Sequence, residues 1–166
     1  MEKLWSPWRS QYIDSFKDKQ PASGCFLCDC SKLDVADNSN LLVHKGELTF
    51  TILNLYPYNN GHLMVVPHRH TSDLLSLSKA ENLEIMDRIQ LCCRALYEVM
   101  KPEGYNIGAN LGKAAGAGVE DHIHFHVVPR WNGDTNFMPV LGEVKVISQD
   151  LQLTKLNLLA AFKKLI

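Results

Sequence analysis

No run of apolar residues in this sequence approaches the ~18 to 20 that a bilayer-spanning helix needs. The opening stretch, MEKLWSPWRSQYIDSF, has neither an apolar signal core nor a small-residue cleavage site. Neither a membrane partner nor secretion is expected. The chain also lacks an excess of either charge. Its 17 Lys+Arg stand against 18 Asp+Glu, a net charge of −1, so no global basic field draws it to nucleic acid. Any anionic ligand must be held locally. Paired cysteines are missing as well: the five form an odd set, with Cys92 and Cys93 adjacent and Cys25, Cys28 and Cys30 crowded into CFLCDC. That is a poor disulfide framework. Reduced thiols in a cytoplasmic protein fit better, with CxxC as a metal or redox candidate. Internal repeats and low-complexity tracts are absent too.

What is present is a chain of 166 residues, 46% hydrophobic and 21% charged, which is enough for one packed core and short for two. A single domain over 1–166 is expected, with an N-terminal arm over 1–23, a core over 24–131 and a C-terminal extension with a helix over 132–166. The arm carries Trp5, Pro7 and Trp8. Two β-rich runs, LLVHK and ELTFTILNL, flank a Lys45-Gly46 turn signal and predict a hairpin. YPYNNG then supplies turn chemistry before HLMVVP, a short apolar run suited to a buried strand. Ser78 with Glu81 three residues on is a capping-box pattern. The helix it announces carries Leu83, Met86, Ile89, Cys93, Leu96 and Met100 at steps of three and four, and ends near Pro102 and Gly104. Cys92 and Cys93 are most simply thiols of its packed face. Two more strand-like runs, YNIGAN and HIHFHVVP, flank the glycine-rich LGKAAGAGVED, and LQLTKLNLLAAFKKLI closes the chain as an amphipathic helix. The pattern predicts an α+β fold: an antiparallel sheet with a long packing helix and a C-terminal helix.

Three of the seven histidines, His122, His124 and His126, alternate with Ile123, Phe125 and Val127. In a strand such alternation puts the imidazoles on one face and the apolar residues in the core. Same-face neighbours lie about 6.5 to 7 Å apart, so adjacent imidazoles can address successive groups of one extended anionic ligand. The plainer alternative is a solvated His-rich face or an accidental metal-binding tract. Just upstream, Gly112, Gly116 and Gly118 allow close backbone approach and can turn N–H groups toward phosphate oxygens.

HIHFHVV at 122–128 fits the histidine-triad signature, in which three histidines alternate with apolar residues, and GHLMVVPHRH at 61–70 resembles the strand that partners it. Over roughly residues 24–131 the chain resembles the histidine-triad (HIT) family. Its flanks, LWSPWRSQYI and RWNGDTNFMP, resemble the branch of fragile-histidine-triad hydrolases and diadenosine tetraphosphate phosphorylases. The resemblance implies a homodimeric enzyme that cleaves dinucleoside polyphosphates at the α-phosphate through a nucleotidyl-histidine intermediate, by hydrolysis or phosphorolysis. It makes His124 the nucleophile, with His122 and His126 orienting it and contacting phosphate. The backbone around Gly116, Ala117 and Gly118 would stabilise developing charge. Asn54 falls at the family's ribose-binding position, although a turn role before Tyr56-Pro57 is its structural alternative. Asn110 matches an amide near the phosphates, and His62 a histidine behind the triad.

One departure matters. Many members, notably nucleoside phosphoramidases, carry Gly-Gln-Ser or Gly-Gln-Thr before the triad. This chain has Gly116-Ala117-Gly118 instead, with one additional residue before His122, which favours the dinucleoside polyphosphate branch. Nucleoside phosphoramidase and a non-catalytic, zinc-stabilised nucleotide-binding module are the rival readings. The second has no need of an imidazole at position 124. Cys25 and Cys28 can offer two thiolates to one ion, and spacing alone leaves several histidines to complete a closed Cys₂His₂ zinc site. In members with this CxxC, the resemblance implies His70 and His122, with Cys30 and His68 as substitutes. The zinc is expected to be structural, with no catalytic metal required of the protein.

Overall fold

The computed structural model describes residues 24–134 and 149–166. The arm with Trp5, Pro7 and Trp8, and the part of RWNGDTNFMP beyond Asp134, lie outside the described residues. Five strands, β1 (Leu42–Lys45), β2 (Thr49–Leu53), β3 (Leu63–Pro67), β4 (Gly104–Ala109) and β5 (Phe125–Arg130), form one sheet in the order β1-β2-β3-β5-β4. Every neighbouring pair is antiparallel. Among the described residues three α-helices accompany it: α1 (Phe26–Cys30), α2 (Lys79–Met100) and α3 (Leu151–Leu165). The α+β expectation is met. Among the described residues no helix is long and apolar enough to cross a membrane.

The predicted hairpin forms because two features pin its turn. The Gly46 N–H donates to the Thr49 carbonyl at 2.7 Å. The Glu84 carboxylate accepts from the N–H groups of Leu48 and Thr49 and from the Thr49 hydroxyl. A Cβ on Gly46 would collide with that same carboxylate, so a larger residue there would push the Glu84 side chain away from the turn. Gly61, which leads into β3, has φ +75, and a Cβ there would meet Met100 Sδ at 2.7 Å.

The capping box at α2 is present in full, with the Ser78 side chain accepting from the Glu81 N–H and the Glu81 side chain from the Ser78 N–H. Arg69 grips the same Glu81 carboxylate through Nε at 2.9 Å and a terminal nitrogen at 3.0 Å. The Arg69 bonds, and then the Ser78 amide, hold the Glu81 carboxyl down at about 2. The buried face of α2 differs from the expected stripe. It runs through Ile85, Ile89, Cys92 and Leu96, while Leu83 and Met86 are 66% and 53% exposed and Cys93 is half-buried. Steps of four, three and four keep the first set on one side of a 3.6-residue helix, whereas Leu83 and Met86 lie round the cylinder from it.

Two apolar clusters sandwich the sheet. Val43, Leu53, Leu63, Val65, Ile123 and Val127 pack with Ile85, Ile89 and Leu96 of α2 and with Leu158 and Phe162 of α3. On the other side Leu42, Phe50, Ile52, Met64 and Val66 pack with Cys25, Leu27 and Cys30 of the α1 region. Both faces are covered, which is why β2 and β3 are buried at every position.

Candidate active site and metal centre

The histidine run is only partly a strand. The β3–β5 ladder begins at Phe125, with Val65 opposite Phe125, Met64 opposite His126 and Leu63 opposite Val127. His122 to His124 precede it, and this stretch is tied instead by the Ile123 N–H donating to the Thr71 carbonyl at 2.7 Å. The alternation survives: Ile123 and Val127 enter the helix-side core, and all three imidazoles are buried. The solvated-face alternative is therefore wrong. The three rings are not equivalent, because both nitrogens of His122 face protein partners.

His122 places Nδ1 at 3.4 Å from Cys25 Sγ and 3.5 Å from Cys28 Sγ, and its Nε2 is 2.9 Å from the Pro67 carbonyl. A carbonyl only accepts, so Nε2 carries the proton and Nδ1 presents its lone pair to the cysteines. Both nitrogens are then engaged, which leaves the ring nothing to offer a phosphate. Burial, partly opposed by the Pro67 bond, holds this imidazole below its ordinary pKa.

His124 Nδ1 lies 2.8 Å from the His122 carbonyl. By the same logic Nδ1 is the N–H and Nε2 keeps a free lone pair. Burial pushes the imidazole below its ordinary value, against the opposing effect of that hydrogen bond. The ring is held neutral and in one tautomer.

A backbone donor starts a second relay. The Tyr58 N–H donates to His62 Nδ1 at 3.1 Å, which puts the His62 proton on Nε2, and Nε2 lies 2.9 Å from His126 Nδ1. His126 therefore accepts at Nδ1 and carries its own proton on Nε2. The His124 and His126 rings meet edge to face, centroids 4.9 Å apart, so an imidazole with a free lone pair stands beside one with an N–H to give.

His124 opens into a cavity of about 260 Å³, walled by Phe26, Leu27 and Leu33 from the α1 side and by Ile52, Met64 and Val119, with Asn54 at its edge. Asn54 Oδ1 accepts from the Tyr56 N–H at 2.9 Å. The turn role and the cavity position thus coexist, and the Asn54 amide nitrogen is the group it can offer as a donor. Asn110 follows the pair Ala109–Phe125 by one residue, which sets it opposite His124 in the β4–β5 register. The glycine loop differs from expectation. Gly112 and Gly116 are left-handed at φ 73 and 82, but the Gly116 N–H donates to the Lys113 carbonyl and the Ala117 N–H to the Gly112 carbonyl. Two of the amides expected to face a ligand close the loop on itself. Gly118 is exposed.

Cys25, Cys28, His70 and His122 converge, and their ligand atoms all lie within 4.8 Å of one another. Cys28 Sγ is 3.3 Å from His70 Nδ1. In a tetrahedron with metal–sulfur bonds of about 2.3 Å and metal–nitrogen bonds of about 2.05 Å, the S···N edge is about 3.6 Å. The observed edges of 3.3 to 3.5 Å fit such a set. Without an ion, burial and the neighbouring Cys25 raise the Cys28 thiol to about 11; a bound cation favours the thiolate. The two substitute ligands stay out. Cys30 is buried in the cavity wall, its thiol raised to about 12 by burial, and His68 lies against Phe50, its Nε2 at 3.3 Å from the Gly46 carbonyl.

The sequence reading missed most of the cavity wall, because Phe26, Leu33, Ile52, Met64 and Val119 come from separate segments. The one available signal was the apolar pair inside the CxxC, Phe26 and Leu27.

Comparisons with known proteins agree with this geometry. The HIT domain model matches residues 36–133. AP-4-A phosphorylase of Mycobacterium tuberculosis strain H37Rv is 41% identical over 158 residues, covering 93% of this chain and 81% of that protein. An adenosine 5′-monophosphoramidase of Schizosaccharomyces pombe is 29% identical over 108 residues, 65% of this chain and 75% of its own. The crystal structure of a Zn-bound histidine triad family protein from Mycobacterium smegmatis is similar with a TM-score of 0.70 at 30% identity, covering 87% of this chain and 97% of that one. With the triad, its partner strand and the sheet order in place, this chain belongs to the HIT domain family.

Proposed function

We propose that this protein cleaves dinucleoside polyphosphates of the diadenosine tetraphosphate type at an α-phosphate, with His124 as the nucleophile. The observation that carries the reading is the His124 Nδ1 bond to the His122 carbonyl at 2.8 Å, which leaves the Nε2 lone pair of a neutral imidazole at the cavity. Nε2 attacks the α-phosphorus, a P–N bond forms, and the P–O bond to the rest of the polyphosphate breaks. The departing oxygen takes its proton from the Nε2–H of His126, whose tautomer is set by His62. Water or inorganic phosphate then attacks the phosphorus and gives a proton back to His126 Nε2, the P–N bond breaks, and both His124 and His126 return to their neutral forms. The cavity takes a nucleoside, with Asn54 toward the ribose, and Asn110 and the 112–118 loop border the phosphates.

Cys25, Cys28, His70 and His122 fit a structural zinc. Four protein ligands leave no open position for a reacting oxygen, so the chemistry the ion supplies is to clamp the knuckle to the segment before β5. His122 thus acts through its backbone carbonyl rather than on the phosphate. The reading includes a homodimer, supported by the exposed Leu83, Met86 and Tyr97 on α2 and by Ile107 on the edge strand β4. A cytoplasmic location suits the reduced thiols of the site.

Product analysis with diadenosine tetraphosphate tests the reaction. AMP plus ATP marks hydrolysis, and ADP plus ATP in the presence of inorganic phosphate marks phosphorolysis. Two ADP molecules, from a symmetric cut, would contradict attack at the α-phosphate.

A further inference from the structure

Residues 149–166 lie beyond the segment matched by the HIT domain model, yet α3 sends one side chain across to the cavity wall. Lys155 is fully buried. Its Nζ donates to the Asp37 carbonyl at 2.7 Å and lies 3.3 Å from Asn40 Oδ1. Asn40 in turn accepts at Oδ1 from the Leu42 N–H at 2.8 Å and donates from Nδ2 to the Asp34 carbonyl at 2.7 Å. The loop they organise, 34–40, has no ladder of its own. It is held by Asx turns, with Asp34 accepting from the Ala36 N–H and Asp37 from the Ser39 N–H. Ser39, Asn40 and Leu41 form one side of the cavity that contains His124 and Asn54.

Lysine is almost never fully buried unless its ammonium is paired, because taking a charge from water is costly. An apolar residue would pack the same place at less cost. Here the acceptors are a backbone carbonyl and an amide oxygen, which fix direction and distance; burial lowers the pKa of the ammonium, and the Asp37 and Asp34 carboxylates offset part of that. Lys155 holds a wall of the cavity as well as a stretch of core. We infer that Lys155 is a positioning residue for nucleotide binding, its ammonium locking the 34–40 loop in the shape that receives the nucleoside. This rests on the reading of the cavity as the nucleoside site. His124 is tied through the His122 carbonyl and, beside it, the Ile123 bond to the Thr71 carbonyl, not through this loop, so the effect falls on binding rather than on the chemical step.

The test is Lys155→Met, which keeps the apolar stem and removes the donors, alongside Asn40→Ala and the double variant. Three constants are measured on folded protein: KM and kcat for diadenosine tetraphosphate, and Kd for AMP by titration calorimetry. Loss of a hydrogen bond to a charged group predicts a rise of roughly tenfold in KM and Kd with kcat within about twofold. The double variant should show less than the sum, since the two residues share one contact. A lower melting temperature with KM and Kd unchanged would overturn the inference, leaving Lys155 a structural residue only. Should Lys155→Met fail to fold, Asn40→Ala decides by KM and Kd. A wild-type protein that binds AMP without cleaving the dinucleotide contradicts the proposed reaction and leaves Lys155 to be judged on Kd. One that does neither overturns both.

Discussion

The two faces of the sheet are built from similar strands and do different work. Against α2 and α3 the contacts are apolar almost throughout, with Val65, Ile89, Leu96, Val127, Leu158 and Phe162 nearly or fully buried. Against the α1 side, the packed residues Phe50, Ile52, Met64 and Val66 share the space with Cys25, Cys30 and a cavity, and His122, His124 and His126 are buried close by. Buried imidazoles are tolerated there because each has at least one ring nitrogen held by a neighbour. Carbonyls of Pro67 and His122 fix two imidazoles, and the Tyr58 amide and His62 fix the third. One face is built for stability and the other for a defined set of protons and lone pairs.

The sharpest way to break this contrast is to remove one group from the polar face. His124→Ala should lower turnover of diadenosine tetraphosphate by a factor on the order of 10³ or more, as expected for loss of a covalent nucleophile. The melting temperature and AMP affinity should stay near wild type. Activity retained in His124→Ala but lost in His126→Ala would reverse their roles.

Metal removal affects both faces at once. Metal binding to such a site is coupled to folding, so Cys25→Ser, or chelation of the wild type, should remove one equivalent of zinc by elemental analysis and lower the thermal midpoint. Activity should fall because the His122 carbonyl no longer holds its place. A wild type without zinc, whose melt the mutation leaves unchanged, would return the CxxC to two buried thiols.

On the helix face the reverse separation is expected. Ile89→Ala should cost about 2 to 5 kcal/mol in urea unfolding from lost contacts and a cavity, while kcat per folded molecule stays within about twofold. A large fall in kcat without loss of stability would erase the distinction between the faces.

The smallest effect concerns Glu81. With Arg69 and the Ser78 amide holding its carboxyl at about 2, against an ordinary value of about 4.3, its contribution is complete above the ordinary value and fades as pH falls toward 2. Urea midpoints between pH 7 and 2 should therefore fall less steeply in Glu81→Gln than in wild type. Parallel curves would show that the Arg69 grip adds nothing to folding.

Local signals wrote much of this into the sequence. Hairpin, capping box, strand runs and terminal helix each rest on neighbours within a few residues: Gly46 with its flanking strands, Ser78 with Glu81, Asp150 capping the N–H groups of Gln152 and Leu153. The helix face was harder to read, because α2 carries apolar residues all round and Leu83 and Met86 keep helical spacing as well as Ile85 and Ile89 do. The histidines were legible as a set and not as individuals. Their alternation is a strand pattern, yet whether His122 turns to a thiol or a phosphate depends on Cys25 and Cys28, more than ninety residues away. The cavity wall and the reach of Lys155 had no local spacing to betray them.

The central claim, that His124 bears the nucleotidyl group, is tested most directly by trapping. Wild-type protein mixed with diadenosine tetraphosphate and quenched in alkali, where a phosphoramidate bond survives, is digested and the peptide spanning His122 to His126 is sequenced by mass spectrometry. The account predicts one adenylyl group, on His124, appearing before product release and absent from His124→Ala. An adduct on His126, or a burst of products with no adduct on any histidine, would contradict it.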